Sequence, residues 1–267
     1  MVNRHDRRHP NAMTDLTQPD SFPEPSSPRW TIVGDLVVAL VLVTLTAATT
    51  TWLLEFESGY LINALGLYAV VATLLLVNIP STLSGPGLGH ANRITLLRTS
   101  LIVPIAAIVT TPVTLNTTGA WWVISVSSIA LILDGIDGRV SRSMQCETTF
   151  GARFDMELDA FFLLVLSVLV WQSGKTGVWV TGIGTIRYAF VIAALFGPWL
   201  GRTLPTNLRR KVICVIQGIA LLICLGPIIP STLASLVGSV ALCSLVISFG
   251  IDIQWLADHK DTARSTD

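Results

Sequence analysis

Four aspartates stand at two short spacings in one stretch of the chain: Asp134 and Asp137, three apart, then Asp155 and Asp159, four apart. Either spacing sets both carboxylates of a pair on one face of a helix. Two consecutive antiparallel helices would then carry all four to the same end of a bundle. Carboxylates at close range repel one another unless a cation neutralises them. Hard oxygen ligands suit Mg²⁺, Mn²⁺ or Ca²⁺ rather than zinc, and phosphate oxygens naturally complete a Mg²⁺ shell. The chemistry implied is attack at a phosphate, with two ions able to hold a pyrophosphate and to stabilise charge on the attacking and leaving oxygens. Gly135, Gly138, Ser141 and Gly151 remove bulk from the same stretch, so a ligand or a neighbouring backbone can come close. Arg139, Arg142 and Arg153 supply positive charge for phosphate. Glu157 falls on the opposite side of its helix from Asp155 and Asp159 and reads as solvated. Any one of these aspartates alone could be a helix cap; the pattern as a whole points to a site.

The elements that must position these residues are membrane helices. The chain is 51% hydrophobic and 13% charged, about half the charged fraction of roughly 25% found in soluble domains. Residues 60–79, 99–133, 160–174 and 212–251 carry no charge at all. Runs of about 20 apolar residues cross a hydrocarbon core as helices, whereas buried strands rarely exceed about 8 residues. The fold class expected is therefore all-α, a polytopic transmembrane bundle. Spans are expected near 30–54, 60–79, 96–112, 121–141, 152–172, 177–200, 209–228 and 233–256. Residues 1–29 and 257–267 read as polar tails, the first without enough apolar surface to order itself.

Lys and Arg in the short loops orient the bundle. Arg93, Arg98, Arg139, Arg142, Arg202, Arg209, Arg210 and Lys211 fall on one side with both termini; only Lys175 falls on the other, with Glu55 and Glu57. The aspartates are thus expected at the cytoplasmic face of a multi-pass cell-membrane protein. The formal net charge is zero, which offers no electrostatic basis for a nucleic-acid partner. Cys146, Cys214, Cys224 and Cys243 form no C-x-x-C pair and no Cys/His cluster; three lie in apolar runs and read as packed small hydrophobes. Trp121, Trp122, Trp171, Trp179, Trp199 and Trp255 sit near span ends, where indoles anchor to the interface.

The stretch from Asp134 to Asp159 resembles the signature of the CDP-alcohol phosphotransferases: D-x-x-D-G-x-x-A-R, eight residues, then G-x-x-x-D-x-x-x-D. Here it runs through Asp134, Asp137, Gly138, Ser141, Arg142, Gly151, Asp155 and Asp159, with Ser141 in place of the alanine and the gap conserved in length. Upstream, Asn92, Ile94, Thr95 and Arg98 match the family's P-N-x-I/L-T-x-x-R helix opening, with Ala91 for the proline. The resemblance implies a six-helix core over about 90–256, with two additional helices over about 30–79. It implies Mg²⁺ or Mn²⁺, as two ions, on Asp134, Asp137, Asp155 and Asp159, with Asp159 as general base toward an alcohol. It also implies a CDP site lined by Asn92, Thr95, Gly138, Ser141, Arg142 and Gly151. The reaction implied is attack of the alcohol oxygen on the lipid-side phosphorus of CDP-diacylglycerol, releasing CMP for phospholipid biosynthesis, in a homodimer as is usual for relatives. An unperturbed aspartate, of pKa about 3.9, is a poor base for an alcohol, and the residues do not say what makes it sufficient.

The acceptor is open. Glycerol-phosphate-using relatives often carry lysine after the last aspartate, where this chain has Ala160. Arg187, inside an apolar run, reads either as a ligand for an anionic acceptor or as the partner of an aspartate. Arg209 and Arg210 read as topology signals or acceptor-phosphate ligands, and Asp35 and Asp252 as interfacial in preference to inward-facing. A CDP-linked small alcohol with a lipid acceptor also fits the motif. A prenyltransferase would separate its two acidic motifs widely, and a cation transporter would place them near the midplane. A dead scaffold would have no need of all four aspartates.

Overall fold

The structure, a computed structural model, describes residues 29–78, 89–111, 115–144, 149–197 and 208–258. Of residues 29, 30, 89–92, 136–144, 149, 150 and 208 it describes the backbone alone. Outside the described residues lie the N-terminal tail to residue 28, the C-terminal end from 259, Cys146, Trp199 and the connection through 80–87.

The described residues form eight α-helices and one 3-10 turn, with no strand among them: α1 (Arg29–Leu54), α2 (Ser58–Asn78), α3 (Gly89–Val109), α4 (Thr117–Met144), α5 (Thr149–Gln172), the turn Val178–Thr181, α6 (Gly182–Phe196), α7 (Leu208–Leu225) and α8 (Ser231–Asp258). The fold is the expected all-α bundle. Five stretches, Thr31–Leu54, Ser58–Asn78, Thr117–Gly135, Val178–Phe196 and Ser231–Asp258, are long and apolar enough to cross a membrane, and the protein is an integral membrane protein. The other helices, α3, α5 and α7, carry polar and charged residues toward one end, and the first two of them run through the middle of the bundle.

Helix ends follow local chemistry. Asn116 caps α4, its side-chain oxygen accepting from the Gly119 N–H at 2.7 Å. Gly174, with φ of +72°, turns the chain out of α5, where the left-handed region suits glycine. Two boundaries differ most from the expected spans. The helix expected to begin at 96 begins at Gly89, because its polar first turns have partners inside the bundle: Arg93 pairs with Asp35 of α1 at 3.0 Å, and Arg98 is enclosed. The span expected from 177 opens as a 3-10 turn before α6. There Trp179 folds over Gly177 so closely that a Cβ on the glycine would stand 2.8 Å from the indole.

α3 is the central helix. Ile102, Val103, Ile105, Ala106, Ala107 and Ile108 are all buried, as expected of a helix apolar on every face. Its hydroxyls serve themselves: Thr99 donates to the Thr95 carbonyl at 2.8 Å and Ser100 to that of Leu97 at 2.6 Å. Pro104 removes one backbone donor from this helix. The α1–α2 pair is tied to the rest by hydrogen bonds across apolar contacts. Tyr60 donates to the Pro104 carbonyl at 2.8 Å, Asn63 to Thr110 at 3.0 Å, and the Trp122 indole to Thr50 at 2.9 Å. Trp122 is therefore bound inside the bundle, unlike the exposed Trp121 and Trp171. Since Tyr60 is 2% exposed, Tyr60→Phe is expected to cost about 0.5–1.5 kcal/mol. Thermal unfolding in detergent measures this; an unchanged midpoint would mean that the ring only fills space.

Packing also corrects readings made from apolar surroundings. Cys224 is buried, but Cys243 is exposed on the outer face of α8. In a bilayer both faces of such a helix are apolar, so composition does not separate core from lipid. Asp252, expected at the interface, is buried and paired with Arg209.

Candidate functional site

α4 and α5 are consecutive and antiparallel, and their facing ends bring Asp134, Asp155 and Asp159 together. One carboxylate oxygen from each lies within 4.8 Å of the others. All three side chains are partly exposed, between 25% and 36%, so the cluster opens on one side. A Cβ added to Gly135 would meet nothing within 4 Å among the described residues. The small residue beside Asp134 therefore leaves open space rather than admitting a neighbouring backbone.

The closed side is Arg98. Its guanidinium reaches in from α3, with one terminal nitrogen 3.0 Å from Asp134 and also bonded to Asp155, and the other donating to Asp159 at 2.5 Å. The whole residue is 0% exposed. Three carboxylates so close require a cation, and here one is built in. Thr95, one turn earlier on α3, is buried on the same side of that helix. On α7 the Cys214 thiol is near enough to interact electrostatically with Asp159, Asp134, Arg98 and Asp155. The half-buried Cys214 packs against the main hydrophobic core, as its apolar surroundings suggest.

Of the other expected site residues, Gly151 is buried in the first turns of α5. Asn92 belongs to α3, and Asp137, Gly138, Ser141 and Arg142 to α4, but of these five residues the structure describes the backbone alone. Arg187 is engaged by Glu157 at 2.5 Å. Its partner is thus a glutamate on the flank of α5 turned away from Asp155 and Asp159, and Glu157 is ion-paired rather than merely solvated. Arg209 donates to Asp252 across α7 and α8, with Arg210 4.0 Å from the same carboxylate. From the sequence Arg98 reads as a topology signal and as the end of the N-R-I-T-L-L-R match, with no role at the aspartates; the polar i, i+3 pair Thr95 and Arg98 is the available clue.

The donor set fits a divalent cation. Mg²⁺ sits about 2.0–2.1 Å from its oxygens, so ligands on opposite sides of one ion are about 4.2 Å apart. Only one pair among three ligands can take opposite corners, and neighbouring corners are about 2.9 Å apart, so oxygens within 4.8 Å of one another would draw together onto the ion. They are hard ligands, half-open to a phosphate, already gathered around a positive group.

An all-α membrane bundle thus carries at one end a carboxylate centre that could hold a divalent cation. The model of the CDP-alcohol phosphatidyltransferase family matches residues 88–249, more than half of the chain, and the chain belongs to that family. It is a membrane transferase, and its family implies a CDP-alcohol and an alcohol acceptor as substrates. α1 and α2 precede the matched segment. No curated protein and no solved structure matches the chain.

Proposed function

We propose that the protein transfers a phosphatidyl group from CDP-diacylglycerol to an alcohol, releasing CMP, in phospholipid biosynthesis at the cytoplasmic face of the membrane. The observation that supports this reading best is the convergence of Asp134, Asp155 and Asp159 at ligand spacing, in a chain of this family. Residues 90–256 would form the catalytic core. Asp159 takes the proton of the acceptor hydroxyl, whose oxygen then bonds to the lipid-side phosphorus while the bond to the CMP oxygen breaks and CMP leaves with the electron pair. Mg²⁺ or Mn²⁺, held by Asp134, Asp137, Asp155 and Asp159, would neutralise the pyrophosphate and the leaving group. Asn92, Thr95, Gly138, Ser141, Arg142 and Gly151 would seat the CDP moiety. A phosphorylated acceptor would engage Arg187, Arg209 or Arg210 in competition with the carboxylate that each now faces.

The test is CMP release by the purified protein in detergent, with CDP-diacylglycerol, Mg²⁺ or Mn²⁺ and a panel of alcohols and phospho-alcohols. Metal-dependent release with one acceptor is the expected outcome and names the product. Release only when a CDP-linked small alcohol meets a lipid acceptor would reverse donor and acceptor. Failure to bind any CDP-alcohol would overturn the reading.

A further inference from the structure

Arg98 presents a problem of charge and position that the transfer reaction does not by itself explain. It is a fully buried arginine on the central helix of a membrane bundle. Intramembrane cations of this kind are costly and are retained with a partner. This one has three, from two other helices: Asp134 on α4, and Asp155 and Asp159 on α5. Both terminal nitrogens are committed to carboxylates, while Nε is buried with no hydrogen-bond partner among the described residues. The orientation of the guanidinium thus follows the carboxylates at the expense of its own third donor. The planar, permanently charged fork suits this, since one terminal nitrogen can serve two oxygens while the other serves a third.

The oxygens that Arg98 holds are the Oδ1 atoms of the three residues that offer a metal site. Without the arginine, an empty site would hold three carboxylates within 4.8 Å of one another without the one cation that faces all three, and their repulsion would push α4 and α5 apart at this end.

We propose that Arg98 is the internal counter-cation of this centre. It keeps Asp134, Asp155 and Asp159 at ligand spacing in the metal-free protein, and a bound divalent ion takes over that assembling role. Arg98 is thus a positioning residue that makes the site ready for the metal without touching substrate. The inference rests on the metal-site reading above.

The test compares wild type, Arg98→Gln and Arg98→Lys as full-length protein in detergent. Thermal unfolding is followed by tryptophan fluorescence in chelator and in saturating Mn²⁺, and bound Mn²⁺ is counted by electron paramagnetic resonance. In chelator, Arg98→Gln should lose about 6 °C or more, the scale expected when a buried charge cluster loses its partner. Mn²⁺ should restore at least half of that loss, and Arg98→Lys, which keeps the charge without the fork, should fall between the two in chelator. An equal loss with and without Mn²⁺, or no loss in chelator, overturns the proposal, since ordinary packing would not depend on the metal. If Arg98→Gln yields no folded protein under either condition, Arg98→Lys against wild type carries the same comparison. Wild-type protein that binds no Mn²⁺ would instead overturn the metal-site reading itself.

Discussion

Asp159→Asn is expected to lower metal-dependent CMP release by about 10²–10⁴-fold, the contribution of a positioned general base. The substitution is close to isosteric, and its side-chain oxygen can still accept from Arg98, which now donates to Asp159 at 2.5 Å. What it removes is the negative charge and the capacity to take a proton. With Asp134, Asp137 and Asp155 left to hold the metal, binding of CDP-diacylglycerol should stay within a few-fold of wild type while turnover collapses. The pattern to look for is a fall in kcat with little change in apparent affinity for the CDP-lipid. Turnover within threefold of wild type would remove Asp159 from the role of base and leave it as a ligand or structural carboxylate. A parallel loss of CDP-lipid binding would point to the same conclusion.

The second large effect lies away from the carboxylates, at the contact between α5 and α6. A Cβ on Gly184 would stand 2.2 Å from the Leu164 Cα and 2.7 Å from its backbone nitrogen. Close backbone approach at small residues is how helices associate where lipid offers no hydrophobic drive. Here the obstacle is main chain and cannot rotate aside, so Gly184→Ala must separate two helices. Overpacking of this kind costs about 1–3 kcal/mol, occasionally more. It outweighs the roughly 0.8–1.0 kcal/mol by which alanine improves on glycine in a helix interior. Because α5 carries Asp155 and Asp159, transfer should also fall, by up to about 100-fold for a displacement near 1 Å. Gly66 provides the control: a Cβ there meets nothing within 4 Å, so Gly66→Ala should be neutral or mildly stabilising. Thermal unfolding of the two variants side by side decides the matter. A stabilised Gly184→Ala protein would mean that α5 and α6 do not pack this closely.

Much of this molecule can be read without its structure, for identifiable reasons. Hydrocarbon thickness forces long uncharged runs into helices, so the all-α bundle follows from where charge is missing. The intervals Asp134 to Asp137 and Asp155 to Asp159 are legible because a helix converts spacing into a shared face, and because two successive antiparallel helices share an end. That logic anticipates the meeting of Asp134, Asp155 and Asp159. It does not say which group opposes their charge. Arg98 lies 36 residues before the first of them, on a helix whose rotation about its own axis no periodicity specifies, and only packing against α4 and α5 turns it inward. The same limit explains Arg187 and Arg209: each needs a carboxylate nearby, yet the choice of Glu157 and Asp252 depends on which helices touch. It explains Cys243 as well, since core-facing and lipid-facing positions are equally apolar in a membrane helix. Spacing along one helix is a local property and survives in the sequence; rotation and neighbour choice are decided by close packing among helices, where a contact such as Gly184 on Leu164 admits one arrangement and excludes the rest.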